Sequence, residues 1–445
     1  MKLTFKILGL FLITSIILIS IIGLVALQSK PKFENNNTVN VQAATESKAA
    51  AKRFIDSIKS KKQPVLLSLS QAELNSLNAL VYRAFPKVVS DVIIQNETAK
   101  LNISVELPLP GFIKYLNVSG DLYPSDKGLE LGNVSVGSIT LPGNTLVSLT
   151  RWVVDTFVQD ELGTKIVSMV QWVTLKEQHL KVSLLVPDDM NHLQQGKSGL
   201  FALRDNLALF GDVKKVKYYH SALVEHLELS QDRSALNTEL PYYLQTMFAL
   251  AKIRTFSDHA NGGTTSAIQE NYSALMALAL YFGSNSFELL VGDVSNLTSS
   301  QRNTRTFLRR KVTLRNRVDL QKHFMYSVAL QLFGNSKASD AIGELKEFLD
   351  SNPGGSGFSF ADLMADRAGT RFARLATESE VAALQIQNTI TNSLTENDFM
   401  PQIHGIPEGI SADLFNENYR DVESTEYKQM ISFLDDRLAE LTLYR

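Results

Sequence analysis

No cysteine occurs among the 445 residues. That one absence excludes disulfides, thiolate nucleophiles, iron–sulfur clusters, zinc knuckles and an N-terminal lipid-bearing cysteine. Histidine is scarce, at seven residues, which leaves little material for a multi-histidine metal centre. Charge of neither sign prevails: 44 Lys and Arg stand against 46 Asp and Glu, a net charge of −2. The basic excess of a general nucleic-acid binder is therefore missing, and no nucleic-acid partner is expected. GxxxxGK[ST], GxGxxG, GxSxG and HExxH are absent as well. With them go the phosphate-cradling loop, the dinucleotide turn, the nucleophile elbow and the helical zinc pair, and no cofactor is implied.

What is present suffices for a sizeable core, with 44% hydrophobic and 20% charged residues. The length fits two or three domains of about 100–200 residues each. Residues 7–27 form an uncharged, almost wholly apolar run, long enough to cross a hydrocarbon layer of about 30 Å, with Lys2 and Lys6 ahead of it. The run exceeds a secretory signal's apolar region, and the nearest small-residue cleavage pattern, Ala43-Ala44, lies well beyond it. The expectation is a transmembrane signal anchor over residues 1–32, partnered with the inner membrane, single-pass, with the bulk of the chain in the periplasm.

The expected architecture is α+β: the N-terminal transmembrane helix, a tether and helix over 33–63, an antiparallel-sheet α+β domain over 64–190, and a larger mostly α-helical domain over 195–445. Ser70-Gln71-Ala72-Glu73 matches a capping box opening a helix through Leu74, Leu77, Leu80 and Val81. Alternation then marks strands at 101–109, 116–122, 129–136 and 180–186. The stretch 145–173 reads as helical. Beyond Pro187, i, i+3, i+4 apolar spacing predicts helices over 194–208, 215–229, 239–256, 264–283, 318–333, 337–350, 359–375 and a last one through Tyr427 and Leu441. A polar stretch, 295–305, interrupts them. Residues 64–187 weakly resemble anchored extracytoplasmic domains of bacterial envelope families of unknown function, some of whose relatives carry lipid in an apolar groove.

One constellation is dense in chemistry. His323 lies early in one helix, Lys346-Glu347 and Asp350 follow in the next, then Gly357-Phe358-Ser359-Phe360-Ala361-Asp362-Leu363, and Asp366 with Gly369 beyond. This order resembles a pattern in bacterial envelope proteins of unknown function, small envelope lipoproteins and, distantly, VanZ-like membrane proteins, over about residues 319–372. The resemblance supplies no activity. Asp319 and His323 are i, i+4 neighbours, Glu347 and Asp350 are i, i+3, and Asp362 and Asp366 are i, i+4. Three antiparallel helices with short loops would bring His323, Glu347, Asp350, Asp362 and Asp366 around one pocket. Asp350 sits at a helix C-terminus, where the macrodipole disfavours a carboxylate, so a partner is expected.

Three readings stay open: a buried structural network, a catalytic site, and a divalent oxygen-ligand site from Glu347, Asp350, Asp362 and Asp366. Ser359-x-x-Asp362 also matches an acidic capping box, and Lys346 with Asp350 an i, i+4 ion pair. The basic run from Arg302 to Arg317 could meet anionic headgroups or coat a solvated helix. Glu270 reads as a helix-start carboxylate or a second acid. The functional expectation is a non-enzymatic component of cell-envelope biogenesis or maintenance that binds lipid or cell-wall material. The alternative is an envelope glycan or peptidoglycan hydrolase with Glu347 as general acid.

Overall fold

The computed structural model describes residues 25–34, 38–59, 63–95, 97–107, 109–157, 162–185, 212–229, 232–260, 266–284, 287, 294, 296–334, 336–352 and 354–445. The chain divides into two units, Met1–Asp188 and Asp189–Arg445.

In the first unit, β1 (Leu27–Gln28) and α1 (Val41–Lys59) precede β2 (Val65–Ser70), α2 (Gln71–Ala84), β3 (Val88–Gln95), β4 (Thr98–Glu106), β5 (Tyr115–Tyr123), β6 (Glu130–Val136) and β7 (Ile139–Pro142). Helices α3 (Gly143–Phe157) and α4 (Leu162–Met169) lead to β8 (Val170–Lys176) and β9 (His179–Leu184). Two antiparallel sheets result, one ordered β3-β4-β5-β6-β7 with β1 beside β5, the other β2-β9-β8. Alternation sends Ala99 and Leu122 from the larger sheet, and Val173 and Leu175 from the smaller, into one buried cluster. The capping box forms as its spacing requires: Ser70 accepts from the Glu73 N–H, and Glu73 accepts from the Ser70 N–H.

Several expectations are corrected here. Among the described residues no helix is long and apolar enough to cross a membrane. Residues 7–24 of the expected span lie outside the described residues, and its last residue, Leu27, is a strand residue registered opposite Leu116. Ser138 donates its N–H to the Val25 carbonyl at 3.1 Å. Backbone groups so engaged belong to a sheet edge rather than to a spanning helix. The transmembrane helix, the signal anchor, the inner-membrane partner and the periplasmic location that depended on them are therefore withdrawn. The tether is shorter than expected as well: the Lys32 N–H donates to Ser104 and Asn117, and α1 starts at Val41. The stretch 145–173 is helical where α3 and α4 are described, and Val170 to Lys176 turn into a strand, because Val173 and Leu175 repeat at period two.

The second unit is helical: α5 (Val213–Glu228), α6 (Leu240–Ala260), α7 (Ala267–Leu278) with a π-helical turn at Ala279–Gly283, α8 (Ser299–Leu308), α9 (Val318–Phe333), α10 (Ser336–Asp350), α11 (Phe360–Thr377), α12 (Glu380–Asn392), α13 (Glu396–Phe399), α14 (Ala412–Asn418) and α15 (Thr425–Ala439). The expected helix 194–208 lies outside the described residues. From Ser273 onward helix α7 is buried all round, with α5, α6, α9, α11 and α12 packed against the helix. The polar stretch that was expected to interrupt the helices instead forms α8, opened by a capping box between Thr298 and Gln301.

Helices α9 and α11 pack most intimately, and α10 lies against both. Gly369 makes this approach possible: a Cβ there would stand 2.2 Å from the Phe324 carbonyl oxygen. The start of α11 is fixed by aromatics. Phe358 and Phe360 are fully buried, their rings 4.5 Å from Phe415 and 5.0 Å from Tyr419 respectively.

Candidate functional site

Helical spacing places His323, Tyr326, Ser327 and Leu330 on one face of α9, Gly343, Lys346 and Glu347 on one face of α10, and Asp362 and Asp366 on one face of α11. The three faces converge. His323 is held between two carboxylates, with Nδ1 at 3.1 and 3.2 Å from the two oxygens of Asp366 and Nε2 at 3.2 Å from Asp362 Oδ2. Glu347 Oε1 lies 3.9 Å from Nε2. Ser327 donates its hydroxyl to Asp366 at 2.8 Å. Gly343 leaves room for that carboxylate, since a Cβ there would come within 2.7 Å of Asp366 Oδ2. Histidine and all three carboxylates are buried, Glu347 completely.

Burial disfavours a charged imidazole, but Asp366 and Asp362 overcome it and push the His323 pKa up to about 10. At neutral pH the ring is therefore a cation that donates from both nitrogens, one to each aspartate. Burial pushes the Glu347 carboxyl up to about 7, against the opposing pull of Lys346. Glu347 also ties two helices together: its Oε2 accepts the Ser359 N–H at 3.0 Å, and the Ser359 hydroxyl caps α11 by accepting from the Asp362 N–H at 3.0 Å. The aromatic-Ser-aromatic order thus has a physical account. The aromatics anchor the turn in the core, and the serine between them joins Glu347 to the helix that carries both aspartates.

Four of the five expected residues meet. Asp350 does not; it pairs with Lys346 at 2.7 Å on the solvent side, its side chain 34% exposed. Asp319 does not orient His323 either, because it is engaged by Arg317 at 2.5 Å. Arg317 also reaches Asp362 at 3.4 Å and Glu408 at 2.6 Å. The basic run is largely structural: Arg309 donates to the carbonyls of Leu280 and Tyr281, and Arg315 to those of Glu396, Met400 and Pro401. Glu270 is more than a helix-start group. Fully buried, it is bound by Lys215 at 2.7 Å, Arg254 at 2.8 Å and Tyr219 at 2.5 Å.

A cavity of about 570 Å³ opens onto the cluster, with His323, Ser327, Asp362 and Asp366 among its polar lining and Tyr326, Leu330 and Ile342 forming its apolar part. Sequence reasoning missed this wall and Ser327, although i, i+3, i+4, i+7 spacing from His323 marks Tyr326, Ser327 and Leu330. Glu347 does not line the cavity. A general acid must come within hydrogen-bond reach of the group it protonates. The enclosed Glu347 does not, so the hydrolase reading that gave it this role is not carried further. No family model, curated protein or solved structure matches the chain.

Proposed function

We propose that the helical unit binds an amphipathic molecule in the cavity above His323. Its apolar portion lies against Tyr326, Leu330 and Ile342, and its polar end meets the imidazole, Ser327 and the aspartates. The observation that carries this reading is the exposed apolar mouth over a polar floor: Tyr326 is 41% and Ile342 45% exposed, while His323 and Asp366 are buried beneath them. A volume of about 300–1,000 Å³ with mostly apolar walls and a few placed polar groups is the usual form of a small-molecule site. The reading narrows the expected ligand class, lipid or cell-wall material, to its amphipathic members.

Titrating the full chain with the fluorescent acyl probe dansylundecanoate tests it. Saturable enhancement is expected, weakened at least tenfold in Ile342→Asp and Leu330→Asp with the far-ultraviolet circular dichroism unchanged. Absence of saturable binding, or equal binding by these variants, would contradict the reading.

A further inference from the structure

The cluster beneath the cavity is built mainly from acidic side chains, and two of the three cations that answer them stand at its rim. Three enclosed carboxylates, Glu347, Asp362 and Asp366, surround one enclosed imidazole, while Lys346, 47% exposed, lies 3.0 Å from Glu347 and Arg317 3.4 Å from Asp362. Buried carboxylates are ordinarily paired or coordinate a metal. One nitrogen of His323 and one oxygen each from Glu347 and Asp366 lie within 4.8 Å of one another. Donors around a tetrahedral ion with bonds of about 2.1 Å stand about 3.4 Å apart, so modest side-chain rotation brings them to coordinating distance.

A second observation is independent of this spacing. Each carboxylate is oriented from outside the cluster: Glu347 by the Ser359 N–H, Asp366 by the Ser327 hydroxyl, Asp362 by Arg317. Metal-ligating carboxylates are characteristically held by such outer hydrogen bonds. The donors come from α9, α10 and α11, the cluster borders an open cavity, and Gly343 removes the one Cβ that would crowd Asp366.

We infer that His323, Glu347, Asp362 and Asp366 form a binding site for a first-row divalent cation, which displaces a proton from the imidazolium when it binds. One imidazole with carboxylates suits Mn²⁺ or Zn²⁺ better than the all-oxygen preference of Ca²⁺ or Mg²⁺. Acidic and basic side chains line the cavity in equal number when His323 is protonated, so the walls alone select no sign of head group. A cation at the floor tips that balance toward an anionic end. This second step rests on the proposed amphiphile binding; the cation site itself does not.

Full-length chain stripped with EDTA and titrated with Mn²⁺ alone tests the site by calorimetry and electron paramagnetic resonance. One equivalent binds, with a hyperfine coupling to a histidine nitrogen. Affinity falls at least tenfold in Glu347→Gln and Asp366→Asn and is unchanged in Asp350→Asn, which lies outside the cluster. Failure to bind one equivalent, a bound ion without nitrogen coupling, or equal affinity in Glu347→Gln and Asp366→Asn would overturn it. The nitrogen coupling is read on the native chain, so the test remains decisive even where a variant does not fold. Dansylundecanoate titrations with and without Mn²⁺ separate the two proposals. Mn²⁺ should tighten probe binding several-fold in the native chain and not in Asp366→Asn; no tightening refutes the anionic end, and loss of metal-free probe binding refutes only the amphiphile reading.

Discussion

His220 shows how a single buried side chain sets a pH limit on the fold. It is 2% exposed and its Nε2 has no hydrogen-bond partner among the described residues. Burial, with Arg305 and Arg309 adding to it, lowers its pKa from 6.5 to about 4. The folded chain therefore resists a proton that the unfolded chain accepts. Stability is complete above about pH 6.5 and falls as the pH drops toward 4, by about 3 kcal/mol at 1.36 kcal/mol per unit. Chemical denaturation between pH 7 and 4 checks this, and His220→Leu should flatten the profile. At Asp366 the expected outcome is a loss of about 1–3 kcal/mol in Asp366→Asn, because the buried imidazolium loses one of its two aspartates and keeps Asp362. Gly369→Ala should cost about 1–3 kcal/mol by pressing its methyl group on the Phe324 carbonyl; denaturant midpoints measure both. Residue roles were legible where chemistry and spacing coincide, as for His323, Asp362 and Asp366. They were not legible for Asp350 and Asp319, whose partners Lys346 and Arg317 are as close in sequence as the cluster members. Spacing cannot choose between two neighbours of opposite charge.

At the scale of elements, α11 carries the site, and its start is doubly secured by Ser359. Ser359→Ala removes the hydroxyl that accepts the Asp362 N–H but leaves the N–H donated to Glu347. The expected loss is about 1 kcal/mol, the ordinary worth of an N-cap, without collapse of the cluster. A loss several times larger in thermal denaturation would mean that the hydroxyl, not the backbone, holds Glu347. Helices α9, α10 and α11 were readable from the i, i+3, i+4 spacing of their apolar residues, although α11 is buried on every side over its first seven residues. Strands β2, β3 and β7 were not read: β2 pairs with the distant β9, β7 has only four residues, and β3, although it forms a hairpin with β4, lacks a clean alternation of buried and exposed positions. Tertiary pairing decided them, as it decided the strand at Val170.

At the scale of the whole molecule, the long apolar run was the least reliable guide. Its last residue, Leu27, pairs with Leu116, and Gln28 accepts from Asn117 at 2.5 Å. Hydropathy measures how well a segment tolerates removal from water and does not say what removes it. The same ambiguity attends the second half of α7, Ala274–Leu278, an apolar stretch enclosed by helices. Under the proposed function the cavity between α9 and α10 receives an apolar chain. A photoreactive acyl chain incubated with the full-length protein, followed by peptide mapping of the adducts, tests it most directly. Adducts within residues 318–350, lost in Ile342→Asp, are predicted; adducts confined to the sheets of residues 65–184 would contradict it.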